Sequence, residues 1–215
     1  MRKKTTSIPV NTLAKEFDAG IAIGKISSDN LQSLEEADHS HRHDYHIFLL
    51  AEKGAAYLEI DFEKHKIKTQ AVLYIHPNQV HRILKIENAN FYLLGISNEN
   101  LQPEYLKFLE EISPAKPLSL TSEPFSIIVE AISLCVAIFK RKQDRLYQSL
   151  LKDCCNTFVA LIVSQYLEQS APIGSLSRFD SITKAFKVAL ERDFASVKRP
   201  FRLCRCFKHF GTLPQ

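Results

Sequence analysis

One feature limits what this chain can fold into more than any other: its hydrophobic period changes once, close to residue 100. From His39 to Ser97 the apolar residues come in short runs or alternate. Ala56, Leu58, Ile60 and Phe62 interleave with Tyr57, Glu59 and Asp61, the period-two pattern of a strand with one face covered. Further short runs lie at His46–Ala51, His65–Thr69, Ala71–His76, His81–Ile86 and Phe91–Ile96, and an earlier one at Ile21–Ile26. Lys53-Gly54, Pro77-Asn78 and Glu87-Asn88-Ala89-Asn90 read as turns between them. Strands at this spacing predict a barrel or a sandwich.

After Asn98 the period is helical. Leu101–Ile112 predicts one helix, ended by Pro114 and Pro117. Thr121-Ser-Glu-Pro124 opens a second, with proline in the first turn where a missing N–H costs least. This helix carries two apolar stripes: Phe125, Ile128, Val129, Ile132, Cys135, Val136 and Phe139, and then Ile127, Ala131, Leu134 and Ile138. A helix apolar on two faces must be covered on two sides. A third helix, about 144–169, bears Tyr147, Leu150, Leu151, Cys154, Phe158, Leu161 and Ile162. Two helices joined by a short basic loop predict an antiparallel hairpin, one face on the sheet and one on a second copy. After the Ser170–Ser175 linker, Ser177 or Asp180 could cap a fourth helix.

Composition narrows the function. The chain has 215 residues, 45% hydrophobic and 24% charged, as in an ordinary globular protein. Its net charge of +4 falls to +1 without Arg202, Arg205 and Lys208, so the body has no overall nucleic-acid footprint. Five unpatterned cysteines argue against a disulfide framework. No signal-peptide core follows the basic start, and the longest apolar stretch, Ile127–Phe139, reads as too short for a bilayer. The expectation is a cytoplasmic protein with no membrane partner.

Five of the eight histidines lie between His39 and His65: His39, His41, His43, His46 and His65. His41 and His43, two apart in a strand, share a face, and a third imidazole from a later strand could join them around a metal. The order His41-Arg-His43-Asp-Tyr-His46, then Gly54, then Ile75-His-Pro77-Asn-Gln-Val-His81 resembles the two motifs of a cupin barrel. More narrowly, it is similar to the sensor domain of AraC-type transcription regulators. The resemblance covers about residues 35–96 and, with the helices, reaches residue 200. Where metal-binding cupins place a glutamate, this chain has Ile47 and Phe48, and Glu52 lies farther on. The site then reads as catalytically empty, with no cofactor. His41, His43 and His81 are expected as pocket residues ahead of metal ligands, together with Tyr57 and Tyr74.

The resemblance implies an α+β chain: a cupin-like double-stranded β-helix barrel, a helical hairpin and one further C-terminal helix. It implies a barrel with its arm over 1–112, a dimerisation hairpin over 113–170 and the first helix of a helix-turn-helix domain over 176–200. A small effector (a sugar, an aromatic or similar) would enter the barrel, and Ile128, Ile132, Leu151 and Phe158 would face a second copy in a homodimer. DNA would be read only by a C-terminal domain that this chain lacks. The alternative is a small metal-dependent cupin enzyme, an oxygenase or isomerase.

Residues 201–215 have no amphipathic period, and Cys204-x-Cys206-x-x-His209 lacks a fourth metal ligand. One choice of codons for this tail, read one nucleotide later, gives Ser-Asp-Tyr-Ala-Asp-Ala-Leu-Asn-Ile-Ser-Glu-Pro-Tyr-Leu. That product resembles the start of an AraC-type helix-turn-helix, so the expectation is a frameshift at codon 200–201 and an out-of-frame tail.

Overall fold

The computed structural model describes residues 8–12, 20–27, 39–112, 116–143 and 145–169. The fourth helix and the tail lie outside these residues.

Two long strands organise the sheet. Strand β4 (His46–Ile60) and strand β7 (His81–Ile96) pair antiparallel along almost their whole length. The first half of β4 also pairs with β6 (Ala71–Ile75), and its second half with β5 (Glu63–Lys68). Strand β2 (Ile21–Ser27) lies against the far edge of β7, and β8 (Leu118–Ser119) against β6, which gives the order β2-β7-β4-β6-β8. A separate parallel pair joins β1 (Val10–Asn11) to β3 (Arg42–His43). Helices α1 (Pro103–Glu111), α2 (Ser122–Phe139) and α3 (Tyr147–Gln169) follow. The architecture is α+β, a cupin-like antiparallel barrel with helices.

Two segments expected to be turns lie inside strands. Lys53-Gly54 interrupts β4, Glu87–Asn90 interrupts β7, and the two face each other through the pairs Lys53↔Asn90 and Ala55↔Glu87. The register shifts on either side of Gly54, so the ribbon bends there without ending. Gly54 has φ +79, and a Cβ on it would stand 2.3 Å from the Asn88 carbonyl oxygen. Only glycine lets the two bent strands approach so closely. The actual reversal lies at Asp61 and Phe62, with φ of +48 and +71. Two consecutive left-handed residues make the hairpin turn that matches strand twist. Phe62, expected as the last inward residue of its strand, is 82% exposed for that reason.

The sheet is buried on both faces, which explains the unbroken apolar runs at 46–51 and 71–75. Ile47, Ala51, Ala56, Leu58, Ile60, Leu73 and Phe91 pack on the inner face. Phe48, Leu50, Val72, Tyr74, Leu94 and Ile96 pack with the helices on the other. From α2, Ile128, Ile132 and Cys135 are buried; from α3, Leu151, Cys155, Phe158 and Ile162. Cys135 and Cys155 are both buried free thiols. Cys154 is half-buried and also free, so these three cysteines serve as small packed side chains.

Helix α2, which contains the Ile127–Phe139 stretch, is 18 residues long and passes the length and composition test for a membrane span, a test that core helices also pass. Here one stripe of that helix covers the sheet. The other stripe remains open, with Ile127 47% and Leu134 54% exposed.

Candidate functional site

The first motif lies at one end of the inner sheet face. His41 and His81 exchange backbone hydrogen bonds, with His41 N–H donating to His81 O (3.1 Å) and His81 N–H to His41 O (2.8 Å). Directly opposed residues put their side chains on one face. His81 also faces Ile60 across β7 and β4, and Ile60 belongs to the inner-face core. His43, two residues from His41, returns to the same face, held in β3 by the Asn11 segment of β1. The imidazole centroids stand 4.5 Å apart for His41–His81, 4.8 Å for His41–His43 and 5.0 Å for His43–His81. One ring nitrogen from each lies within 4.8 Å of the others.

The hydrogen bonds determine the tautomers. A carbonyl oxygen only accepts, so His41 Nδ1–H donates to His39 O (2.8 Å) and His81 Nδ1–H to Gln79 O (2.9 Å). In the neutral form of each ring Nε2 then carries the lone pair. His43 Nδ1 is buried and has no hydrogen-bond partner. The loop before His81 is itself anchored: Asp61 accepts Gln79 Nε2–H (2.8 Å) and Val80 N–H (3.1 Å), and Gln79 Oε1 accepts His76 N–H (2.8 Å). Asp61 and Gln79 were not marked by any period or spacing; the Pro77-Asn-Gln-Val-His81 motif was their one signal.

The two expected tyrosines do not join this cluster. Tyr57 points away from the inner face, where its hydroxyl meets Glu87 and Lys66. Tyr74 is fully buried between sheet and helices, stacked on Phe48. Its hydroxyl donates to His46 Nδ1 (2.8 Å), while His46 Nε2–H donates to Asn98 Oδ1 (2.8 Å). His46 thus serves the helix side, because the chain turns at Tyr45, whose ring belongs to the inner core. Glu52 pairs with Lys25 at 2.6 Å and brings no carboxylate to the histidines.

Burial pushes His81 and His46 down to about 4, and burial and then its two histidine neighbours push His43 down to about 3. A free histidine titrates near 6.5. Below that pH the unfolded chain binds protons that the folded chain refuses. Stability is therefore full above about pH 6.5 and declines as pH falls toward about 4. His46 and His81, 3% and 5% exposed, each contribute a slope of at most about 1.4 kcal/mol per pH unit. Urea unfolding at pH 7.5, 6 and 5 is expected to show falling midpoints; a flat profile would contradict these burials.

Two surface grooves lie elsewhere. One, of about 550 Å³, runs between Gly20, Asn100 and Lys152. The other, about 410 Å³, lies between α1 and α3 along Tyr105, Phe108 and Leu167.

An antiparallel cupin-like barrel with polar side chains gathered at one end of its inner face, backed by helices, is the build of a ligand-binding sensor domain. The family model for the AraC-like ligand binding domain matches residues 32–151, and the chain belongs to that family. It is the ligand-sensing part of an AraC-type regulator. Among solved structures, the AraC-like transcriptional activator CuxR is 13% identical, with a TM-score of 0.44 over 86% of this chain and 62% of CuxR. Apo ToxT from Vibrio cholerae is 14% identical, with a TM-score of 0.42 over 88% of this chain and 70% of ToxT. Bacillus subtilis oxalate decarboxylase is 16% identical, with a TM-score of 0.26 over 36% of this chain and 26% of the enzyme. The chain thus spans less than two thirds of the CuxR chain. No curated protein sequence matches it.

Proposed function

We propose that this chain senses a small effector at the inner-face end of its barrel and passes the signal to a dimer that acts on DNA. The observation that carries this reading is the match to the AraC-like ligand binding domain over residues 32–151, which hold strands β3 to β8, helices α1 and α2 and the start of α3. His41, His43 and His81 are the polar groups positioned to meet the effector; Tyr57 and Tyr74 act in surface pairing and in packing. Residues 1–112 would serve as the sensing barrel and 113–170 as the dimerisation hairpin. The test is thermal unfolding against a panel of monosaccharides, aromatic acids and fatty acids. One class is expected to stabilise the fold by about 2.7 kcal/mol at a hundred times its Kd. Failure of all three classes would count against a small-molecule sensor of this kind.

Helix α2 supports the dimer. Ile128, Ile132, Leu151 and Phe158, expected at the interface, are instead core residues of one copy. The open stripe is the second one, Ile127 to Ile138, and an exposed apolar stripe of this kind calls for a partner. Leu134→Glu is expected to yield a folded monomer by sedimentation, where the parent chain is a dimer. An unchanged oligomeric state would exclude this face.

The enzyme reading is not favoured. Among the described residues, the one cluster with metal-ligand geometry contains no carboxylate to act as a general base.

A further inference from the structure

We infer that the outer edge of strand β5 takes up an extended acidic segment of a partner protein, which joins the sheet as an added strand and sets its carboxylates against Lys64, Lys66 and Lys68. Such docking requires no effector in the barrel.

The sequence builds the row. In a strand, residues two apart share a face and stand about 6.8 Å from one another. Lys64, Lys66 and Lys68 therefore line one face of β5, and all three are exposed. Glu63, His65 and Ile67 alternate with them, and Ile67 is buried in the inner core. The helices cover the first half of β4, at Phe48 and Leu50. Its second half, with Tyr57 and Glu59 half-buried, lies beside the lysines instead.

The neighbours do not cancel this charge. Lys64 faces Glu59 across the strand pair, but both Glu59 oxygens already accept from Arg82 (3.0 and 3.1 Å). Lys66 lies over the Tyr57 ring, 4.5 Å from its centroid, and donates to the hydroxyl. Glu87 accepts from Lys85 (2.5 Å) and from Tyr57 O–H (3.3 Å). Among the described residues no carboxylate forms an ion pair with Lys64, Lys66 or Lys68.

The backbone is open on the same strand. Among the described residues β5 pairs with β4 alone. An edge strand presents unpaired N–H and C=O groups, and lysines there guard against pairing with a second copy. Directly opposed like charges repel, and opposite charges attract. The row that rejects another β5 thus selects a strand with acids at alternate positions. Such a strand finds two further contacts. His65 Nε2 is buried without a hydrogen-bond partner, and Phe62 stands exposed at the turn into β5 as an apolar anchor.

Nucleic acid fits less well. The three lysines span only about 13.6 Å. Glu59 and Glu87 lie among the cations of this face, and Arg82 is already committed to Glu59. A strand edge offers main-chain pairing that only a polypeptide can return.

The test uses the full chain and labelled peptides, read by fluorescence anisotropy. Thr-Glu-Val-Glu-Val-Glu-Thr is expected to bind saturably, one to one. The same peptide with Lys for Glu, and the acidic peptide N-methylated along its length, are expected not to bind. Combined Lys64→Glu, Lys66→Glu and Lys68→Glu is expected to weaken binding of the acidic peptide by about 10-fold or more. Hydrogen exchange of the parent chain is expected to slow at Glu63–Lys68 when that peptide is bound, which decides the matter should the triple variant fail to fold. Absence of saturable binding, equal binding of the N-methylated peptide, an unweakened triple variant, protection only outside β5, or tighter binding of a short DNA duplex through these lysines overturns the proposal.

Discussion

Phe158→Asp is expected to unfold the chain. The ring is 1% exposed and meets Phe48 edge-to-face at a centroid distance of 6.2 Å, where α3 lies on the sheet. Deleting a buried phenylalanine costs about 3–5 kcal/mol before any charge is considered. A carboxylate left there has no described cation beside it and adds several kcal/mol more. The total exceeds about 5 kcal/mol, comparable to the whole stability of a domain this size. Soluble expression and near-UV circular dichroism are the readouts. Leu134→Glu, on the open stripe of the neighbouring helix, is the contrast: it is expected to leave folding intact. A folded Phe158→Asp would mean that α3 does not cover the sheet.

The second large effect is expected at Asn156, a buried polar residue 2% exposed. Its Oδ1 accepts Gln102 N–H (2.8 Å), and its Nδ2 donates to Asn100 O and Lys152 O, both 2.8 Å. The side chain thus satisfies the backbone where the sheet hands over to α1. Asn156→Leu keeps the branched shape but strands the Gln102 N–H and removes a donor from Asn100 O. Each unsatisfied buried group costs about 1–3 kcal/mol. A loss of about 2–4 kcal/mol in urea unfolding is expected, and Asn156→Asp is not expected to rescue it, because it keeps the acceptor and loses the donor. A change below about 0.5 kcal/mol would contradict the network.

How much of this was legible in the sequence follows from what each pattern encodes. Period two and period 3.6 report which face is covered, so the strands and the three helices fell close to their expected places. The strand breaks were misjudged because Gly54 and Asn88 mark a bend as readily as a turn; only the pairing of one against the other distinguishes the two. Side-chain parity placed His41 and His43 together, and the motif order brought in His81. Tyr74 lies apart from the histidine cluster because its strand is covered on both faces, and parity alone does not name the face. Ile128 was ambiguous in the same way: a helix with two apolar stripes does not say which one meets the sheet. Asn156 carried no local signal at all, since its role depends on a loop 54 residues away in sequence.

The opening change of period therefore marks more than a boundary between sheet and helices. It separates a sheet that gathers three imidazoles at one end of its inner face from a helical layer with one stripe still open.

The most direct test of the site is its protonation pattern. Nitrogen NMR of protein labelled at histidine reads the tautomer of each ring. His41 and His81 are expected as Nδ1–H tautomers with bare Nε2, and His43 and His81 as neutral rings down to pH 5. Nε2–H tautomers at His41 and His81, or titration of His43 and His81 near 6.5, would contradict the converging triad.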